Sequence, residues 1–311
     1  MLKSGVVLFL CMTIHFHKTY QTPADIVALL QSRGLNIDNP KRAEHYIRSI
    51  GYYRFSAYLY PLLQMPKEAH QYKVGSTFQD ALNLYRFDKK LRLFLFNEIE
   101  KVEIALRSAL ANIAAEETGN IFWMTDVSMF ANEDKFNRTM TLVDKELTNS
   151  KEDFILHFKK KYSNTYPPAW MLMEILPLGI VTRIYENIKS NALKKKISGY
   201  FNLPVPMFIS WLTVITLTRN SCCHHSRVWN KIYAVNPKVA KKKLKRPWIS
   251  EEVSPYRTFY EICIIKWFVD IVSPNNDMKI HLQELLADSP MIDIKAMGFP
   301  TNWQEEPLWK E

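Results

Sequence analysis

Glycine is scarce in this chain, at eight of 311 residues. A turn-rich all-β fold would need more of it, because tight turns and bulges use positive φ; long helices need little. Cysteine is scarcer still. Cys11, Cys222, Cys223 and Cys263 are the four, two of them adjacent. They show no framework spacing, which argues against a disulfide scaffold and leads us to expect a reducing cytoplasm. There is no glycine-rich phosphate loop, C-x-x-C, H-E-x-x-H or internal repeat, and no strand alternation of useful length. No apolar run is long enough to span a bilayer. The nearest, Val6 to Ile14, follows one lysine and precedes no small-x-small cleavage site. Leu10 is too bulky for lipoprotein processing at Cys11. Translation is therefore expected to start at Met12, and the protein to be soluble, without stable membrane insertion.

Acidic residues are missing where it matters. None occurs from Asn187 through Ser250, a stretch of 64 residues that holds 13 lysines and arginines. Subtracting those from the net charge of +10 leaves −3 for the rest. Positive charge concentrated in an otherwise slightly acidic chain is the footprint of a phosphate-binding surface, RNA or DNA before other polyanions. A solvated lysine-rich face or contact with an anionic membrane is the plainer alternative.

What is present is helical. Hydrophobic residues make up 47% and aromatics 13%, enough for a core in a chain of this length. "TPADIVALLQSRG" reads as cap, Pro23 at the first helical position, and Gly34 as stop; "NPKRAEHYIRSIG" repeats that grammar. The longest element is predicted from Thr77 to Thr118, with Leu84, Leu91, Leu95, Val102, Leu106 and Ile113 on one face and Asp88, Lys89, Arg92, Glu98 and Lys101 on the other. Shorter helices are predicted at 133–148 and 151–162. Another, with Pro177 and Gly179 breaking it, crosses "YPPAWMLMEILPLGIVTRIYENI". A helix from Pro206 is predicted to run to Asn236-Pro237, and a last helical region covers 255–288. The organisation expected is an apolar segment at 1–17, an N-terminal helical region at 18–76, a core at 77–250 and a helical extension at 251–311.

The segment "TRNSCCHHSRVWN", residues 218–230, carries the chemistry. Zinc needs converging ligands, and adjacent helical residues point about 100° apart, so neither the Cys pair nor the His pair suits one ion. A nucleophilic cysteine has no supporting constellation. No metal or other cofactor is expected. On one helix, Asn220, His224 and Arg227 would share a face, with Arg219, Cys223, Ser226 and Asn230 on the next. Histidine can move a proton near neutrality, and arginine forks onto phosphate oxygens. Together they suit attack of an RNA 2′-hydroxyl on its own phosphate without metal. Passive binding of backbone phosphate by the same residues is the plainer reading of their chemistry alone. Lys241, Lys242, Lys243, Lys245 and Arg246 are the expected backbone-phosphate contacts. Tyr52, Tyr53 and Arg54 could stack on bases, though core packing explains them better. Glu174 is expected either buried and paired or lining a cleft.

Arg219-Asn220-x-x-x-His224 resembles the R-x4-6-H motif of HEPN-domain ribonucleases. "RNSCCHHSRVWN" resembles the signature of the Abi-like abortive-infection family, the AbiD/AbiF group. "GYYRFSAYLYP" at 51–61, "LYRFDKKLRLFLFNEIEKVEIALRSAL" at 84–110 and "YPPAWMLMEILPLG" at 166–179 are similar to that family too, so the likeness covers about 20–235. It implies an all-α HEPN-type bundle, a homodimer with facing motifs, and anti-phage defence. It also implies a toxin-like, metal-independent endoribonuclease that leaves a cyclic phosphate, with a small noncoding RNA as possible partner. Arg219 and His224 would be its catalytic pair and Asn220 would assist; His225, Arg227 and Asn230 match in supporting positions. The alternative is a non-cleaving protein that holds a small noncoding RNA.

Overall fold

Thr22, just ahead of Pro23, starts the first helix as its sequence demands. Its hydroxyl accepts from Asp25 N at 3.2 Å, and the Asp25 carboxylate accepts from Thr22 N at 3.0 Å, a reciprocal capping box. The computed structural model describes residues 15, 19–233, 235–240 and 244–310. Among these lie twelve α-helices and no strand, only isolated bridges, so the fold is all-α. The 1–17 segment, apart from His15, falls outside the described residues.

The chain packs as two units, 1–85 and 86–311. In the first, α1 (Pro23–Ser32), α2 (Pro40–Ile50) and α3 (Tyr52–Leu59) enclose a core of Leu30, Ile47, Phe55 and Tyr58 together with the start of α4, Phe78–Thr118. Gly34 and Gly51 follow α1 and α2 at φ +87 and +85, a conformation that other residues adopt at a cost. Tyr53 stands 95% exposed and Arg54 is exposed as well, so the core-packing reading holds for neither; only Tyr52 is partly buried.

The 41 residues of α4 make a rod of about 60 Å. Thr77 caps it, its hydroxyl accepting from Asp80 N at 3.0 Å, and Gly119 follows its end at φ +64. Leu91, Leu95, Ile99, Val102, Leu106, Leu110 and Ala114 are buried, as a core-facing stripe should be. The face read as charged is not wholly solvated. Asp88 and Glu98 have no exposed surface and Arg92 is buried, because each finds a partner: Asp88 with Arg92, and Glu98 with Lys101 at 2.9 Å.

In the second unit α5 (Glu133–Asn149) and α6 (Asp153–Lys161) lie where their periodicity put them. Pro177 splits the next segment into α7 (Ala169–Ile175) and α8 (Leu178–Asn187). The periodicity does not reveal α9 (Asn191–Tyr200), whose lysine-rich pattern hides a Ser190 cap. Then come α10 (Val205–Cys223), α11 (Thr258–Val272) and α12 (Met278–Ala287). Residues 255–288 are two helices, parted near Ser273. The tail after Pro290 is irregular, yet it buries Trp303, Leu308 and Trp309 beneath Phe259 and Phe299. No single helix among the described residues is long and apolar enough to cross a membrane; one bent pair, α9 with α10, passes on composition.

Candidate active site

The helix that carries the motif ends earlier than its pattern suggests. α10 stops at Cys223, and His224 is its C-cap. His225 follows at φ +54, in the left-handed region. Its N–H bonds to Cys222 O at 3.1 Å, and Ser226 N bonds to Ser221 O at 2.8 Å. These two bonds are the Schellman pattern, here with histidine where glycine is usual. The expected helical faces therefore hold only as far as His224. Arg227 does not continue the Asn220–His224 stripe, and neither Ser226 nor Asn230 continues that of Arg219.

A buried carboxylate catches the chain as it leaves the helix. Asp88 Oδ1 accepts from Val228 N at 3.0 Å and from Trp229 N at 2.6 Å, while Arg92 pairs with its other oxygen. Val228 and Trp229 are buried. Asn230, at φ +51, donates its N–H to Thr258 Oγ1 at 3.2 Å and accepts from Arg257 at 3.3 Å. Asn230 thus fastens the exit loop to the start of α11 rather than standing beside Arg219.

Arg219 is held from α4. Its Nε donates to Glu103 Oε2 at 3.1 Å, and the side chain is 27% exposed. The other oxygen of Glu103 takes Arg107, a buried guanidinium that also donates to the carbonyls of Met173 and, at 2.6 Å, Leu176. The break after α7 supplies those acceptors, so Arg107 ties α4 to α7 and Glu103 ties α4 to α10. With Nε engaged, the outer nitrogens of Arg219 have no partner among the described residues. Asn220 is half-buried and His224 exposed, and neither side chain makes a hydrogen bond among those residues. Five residues apart, Arg219 and His224 lie about 140° around the helix and about 7.5 Å along it. The end of α10 therefore presents an oriented guanidinium, an amide and an imidazole around one helix terminus. His225 is exposed and Arg227 partly buried, both engaged in interactions of their own.

Behind the motif lies a second polar group. Thr218, buried, donates to Glu261 of α11, a fully buried carboxyl. Lys231 Nζ reaches Ser221 Oγ at 3.0 Å and Tyr233 OH reaches it at 3.2 Å. Burial pushes Glu261 up to about 7, against the opposing pull of Thr218, Lys231 and Tyr233. Burial likewise pushes Cys222 up to about 12, which leaves it a thiol and no nucleophile. Among the described residues no group of three His, Cys, Asp or Glu converges as metal ligands would.

The expected RNA contacts split. Lys241, Lys242 and Lys243 lie outside the described residues. Lys245 is exposed and Arg246 is partly buried and engaged. Lys245 lines a cavity with Val205 and Met207, about 20 Å from Arg219 along the 14 residues of helix between. Lys245 therefore does not stand beside the motif. Glu174 is exposed on a helix that buries Leu172 and Met173, so it is not the buried, paired carboxylate that is one of its two expectations. Read from the sequence, Asp88 and Glu103 belong to a charged set on the long helix that forms ion pairs or orients the motif helix, with no member singled out, and Glu261 is passed over. An acid inside "FYEICIIKWF" is the signal for the last; for Glu103 it is the i,i+4 spacing to Arg107.

The sequence model of one known family, described as Abi-like protein, matches residues 45–230, more than half of the chain. No curated protein matches, and no solved structure matches.

Proposed function

The chain belongs to the Abi-like protein family, which points to abortive-infection defence, and from that premise we propose that it is a metal-independent endoribonuclease of the HEPN type. The observation that carries the proposal is the pairing of a carboxylate-oriented Arg219 with an exposed His224 on one helix end. In the proposed reaction His224 takes the proton of an RNA 2′-hydroxyl, which attacks the adjacent phosphorus. Arg219 stabilises the charge on the phosphorane oxygens, and Asn220 donates to the same group. The proton taken up by the imidazole goes back to the departing 5′-oxygen, so no net proton is gained or lost, and the other product ends in a 2′,3′-cyclic phosphate. No oxidant, metal or cofactor enters that balance.

The imidazole and guanidinium diverge around the helix, so the proposal includes a homodimer in which a second copy supplies the opposite side of the phosphate. An apolar stripe supports pairing. Leu93, Phe96 and Ile104 are exposed on one face of α4, the helix that also carries Glu103. RNA is the proposed substrate, and a small noncoding RNA a second proposed partner.

Incubating the purified protein with total RNA in EDTA tests the reading. Cleavage is expected, and it should disappear in both Arg219→Ala and His224→Ala. The favoured alternative is a protein that holds a noncoding RNA without cutting it, supported by the acid-free stretch from 187 to 250. Intact RNA bound tightly by the wild type, with affinity falling steeply in salt, would select that reading.

A further inference from the structure

At the far end of α10 from Arg219 lies a cavity of about 720 Å³, within the ordinary range of small-molecule sites, about 300–1,000 Å³. Leu203, Val205 and Met207, at the turn from α9 into α10, give it aliphatic lining, and Leu244 lines it too. Three lysines reach it from three segments: Lys195 of α9, and Lys238 and Lys245 from the two limbs of the basic loop. All three are exposed. None takes part in an ion pair among the described residues.

Three lysines line one cavity, and the N-terminus of a 19-residue helix adds to the positive potential there. Met207 N and Phe208 N both bond to Pro204 O, and Pro206 has no N–H, so Val205 N is the terminal donor left over. Two points of the basic loop are anchored to α10. Lys238 N bonds to Ser210 Oγ at 2.8 Å, Trp211 Nε1 bonds to Lys238 O at 3.0 Å, and Trp248 packs on Trp211 with ring centres 4.8 Å apart. Each anchored group is one that need not be ordered on binding.

The ligand must be strongly anionic at one end and flat or apolar at the other. A single carboxylate on an acyl chain answers the aliphatic lining but underuses three lysines. A phosphate that bears a nucleoside answers both, since bases lodge well between apolar side chains. We propose that this cavity takes one nucleotide, its phosphate among Lys195, Lys238 and Lys245 and its base against Leu203, Val205 and Leu244. The proposal goes beyond cleavage at Arg219 and His224 and does not depend on it. The nucleotide comes either free from solution or as one residue of an RNA strand.

The test uses the full chain and two probes. One is a set of free ribonucleoside 5′-mono- and triphosphates, followed by calorimetry. The other is a fluorescent RNA of about 12 nucleotides, 2′-O-methylated throughout so that it cannot be cut by 2′-hydroxyl attack. Two variants separate charge from cavity: the triple Lys195→Ala, Lys238→Ala, Lys245→Ala, and Gly199→Phe. Gly199 lines the cavity, and a Cβ there would meet no atom within 4 Å, so the ring has open space to fill. At least one probe should bind, and each variant should weaken it about tenfold or more, with melting temperatures near that of the wild type. Binding of free nucleotides identifies a diffusible ligand; binding of the RNA alone identifies a residue within a strand. The proposal is overturned if neither probe binds at millimolar concentration. It is overturned equally if Gly199→Phe binds as well as wild type, which would reduce the lysines to a general basic surface, or if palmitate binds where nucleotides do not.

Discussion

Asp88 and Glu103 sit on the same helix, face the same motif segment, and do opposite work. Asp88 has no exposed surface and spends one oxygen on two backbone N–H groups of the exit loop. Glu103 is partly exposed and spends its oxygens on two guanidiniums, one of them Arg219. A carboxylate that satisfies buried backbone fixes where the chain goes, and losing it leaves orphaned donors. The Glu103 oxygen that holds the partly exposed Arg219 by its Nε fixes how that group points, while its other oxygen neutralises buried Arg107, which keeps the Met173 and Leu176 carbonyls as acceptors when Glu103 is lost. Burial and partner, rather than residue type, divide the scaffold from the site.

The largest effect separates site from scaffold directly. Arg219→Ala or His224→Ala should lower RNA cleavage by about 10²–10⁴-fold, while urea denaturation finds stability within about 1 kcal/mol of the wild type. Loss of cleavage that tracks loss of folding would break the distinction. Asp88→Ala should do the reverse. Removing one partner of a buried ion pair costs about 3–5 kcal/mol, and thermal and urea unfolding should show it; unchanged stability would make Asp88 no scaffold at all.

Glu261 sharpens the contrast from behind the helix. Its folded pKa, about 7, lies above the ordinary 4.5. The folded state therefore holds this proton while the unfolded chain gives it up, and stability falls as pH rises from 4.5 to 7. The loss is on the order of 3 kcal/mol for so large a shift. Glu261→Gln cannot titrate, so the wild-type-minus-variant difference in unfolding free energy should follow that window; a flat difference would refute the assignment.

Glu103→Ala should cost less. Cleavage is expected to fall about tenfold, or ~1.4 kcal/mol of barrier, through kcat, with KM level or lower because the freed cation still attracts phosphate. A rise in KM with kcat unchanged would move Arg219 from the reaction to binding. The smallest change is a gain. His225→Gly should relieve the left-handed conformation after the helix and raise stability by about 1 kcal/mol, readable by melting.

Much of the scaffold is legible in the amino-acid sequence alone. Thr22-Pro23, Asn39-Pro40, Thr77 with Asp80, and Pro177 each state a boundary in local chemistry, and the helices begin or break there. α9 is hidden because its lysines mask a weak apolar stripe. The end of α10 is overrun for a different reason. "SCCHHSRVWN" contains neither glycine nor proline, and what stops the helix is distant: Asp88, 140 residues from Val228 in the chain, fixes the path of the exit loop. At the site itself, Arg219 and His224 can be picked from spacing and side-chain chemistry. Glu103 cannot be singled out, because a carboxylate on a long charged helix becomes a site residue only through a contact 116 positions away. Asn230 is placed with the pair by a helical wheel that ends six residues too early for it.

The most direct measurement reads the ends of RNA fragments made by the full-length protein in EDTA. We predict 2′,3′-cyclic phosphates at the 3′ ends, abolished in His224→Ala and in Arg219→Ala. Fragments with plain 3′-hydroxyl ends, or cutting that survives either substitution, would contradict an imidazole and a guanidinium acting together on the phosphodiester.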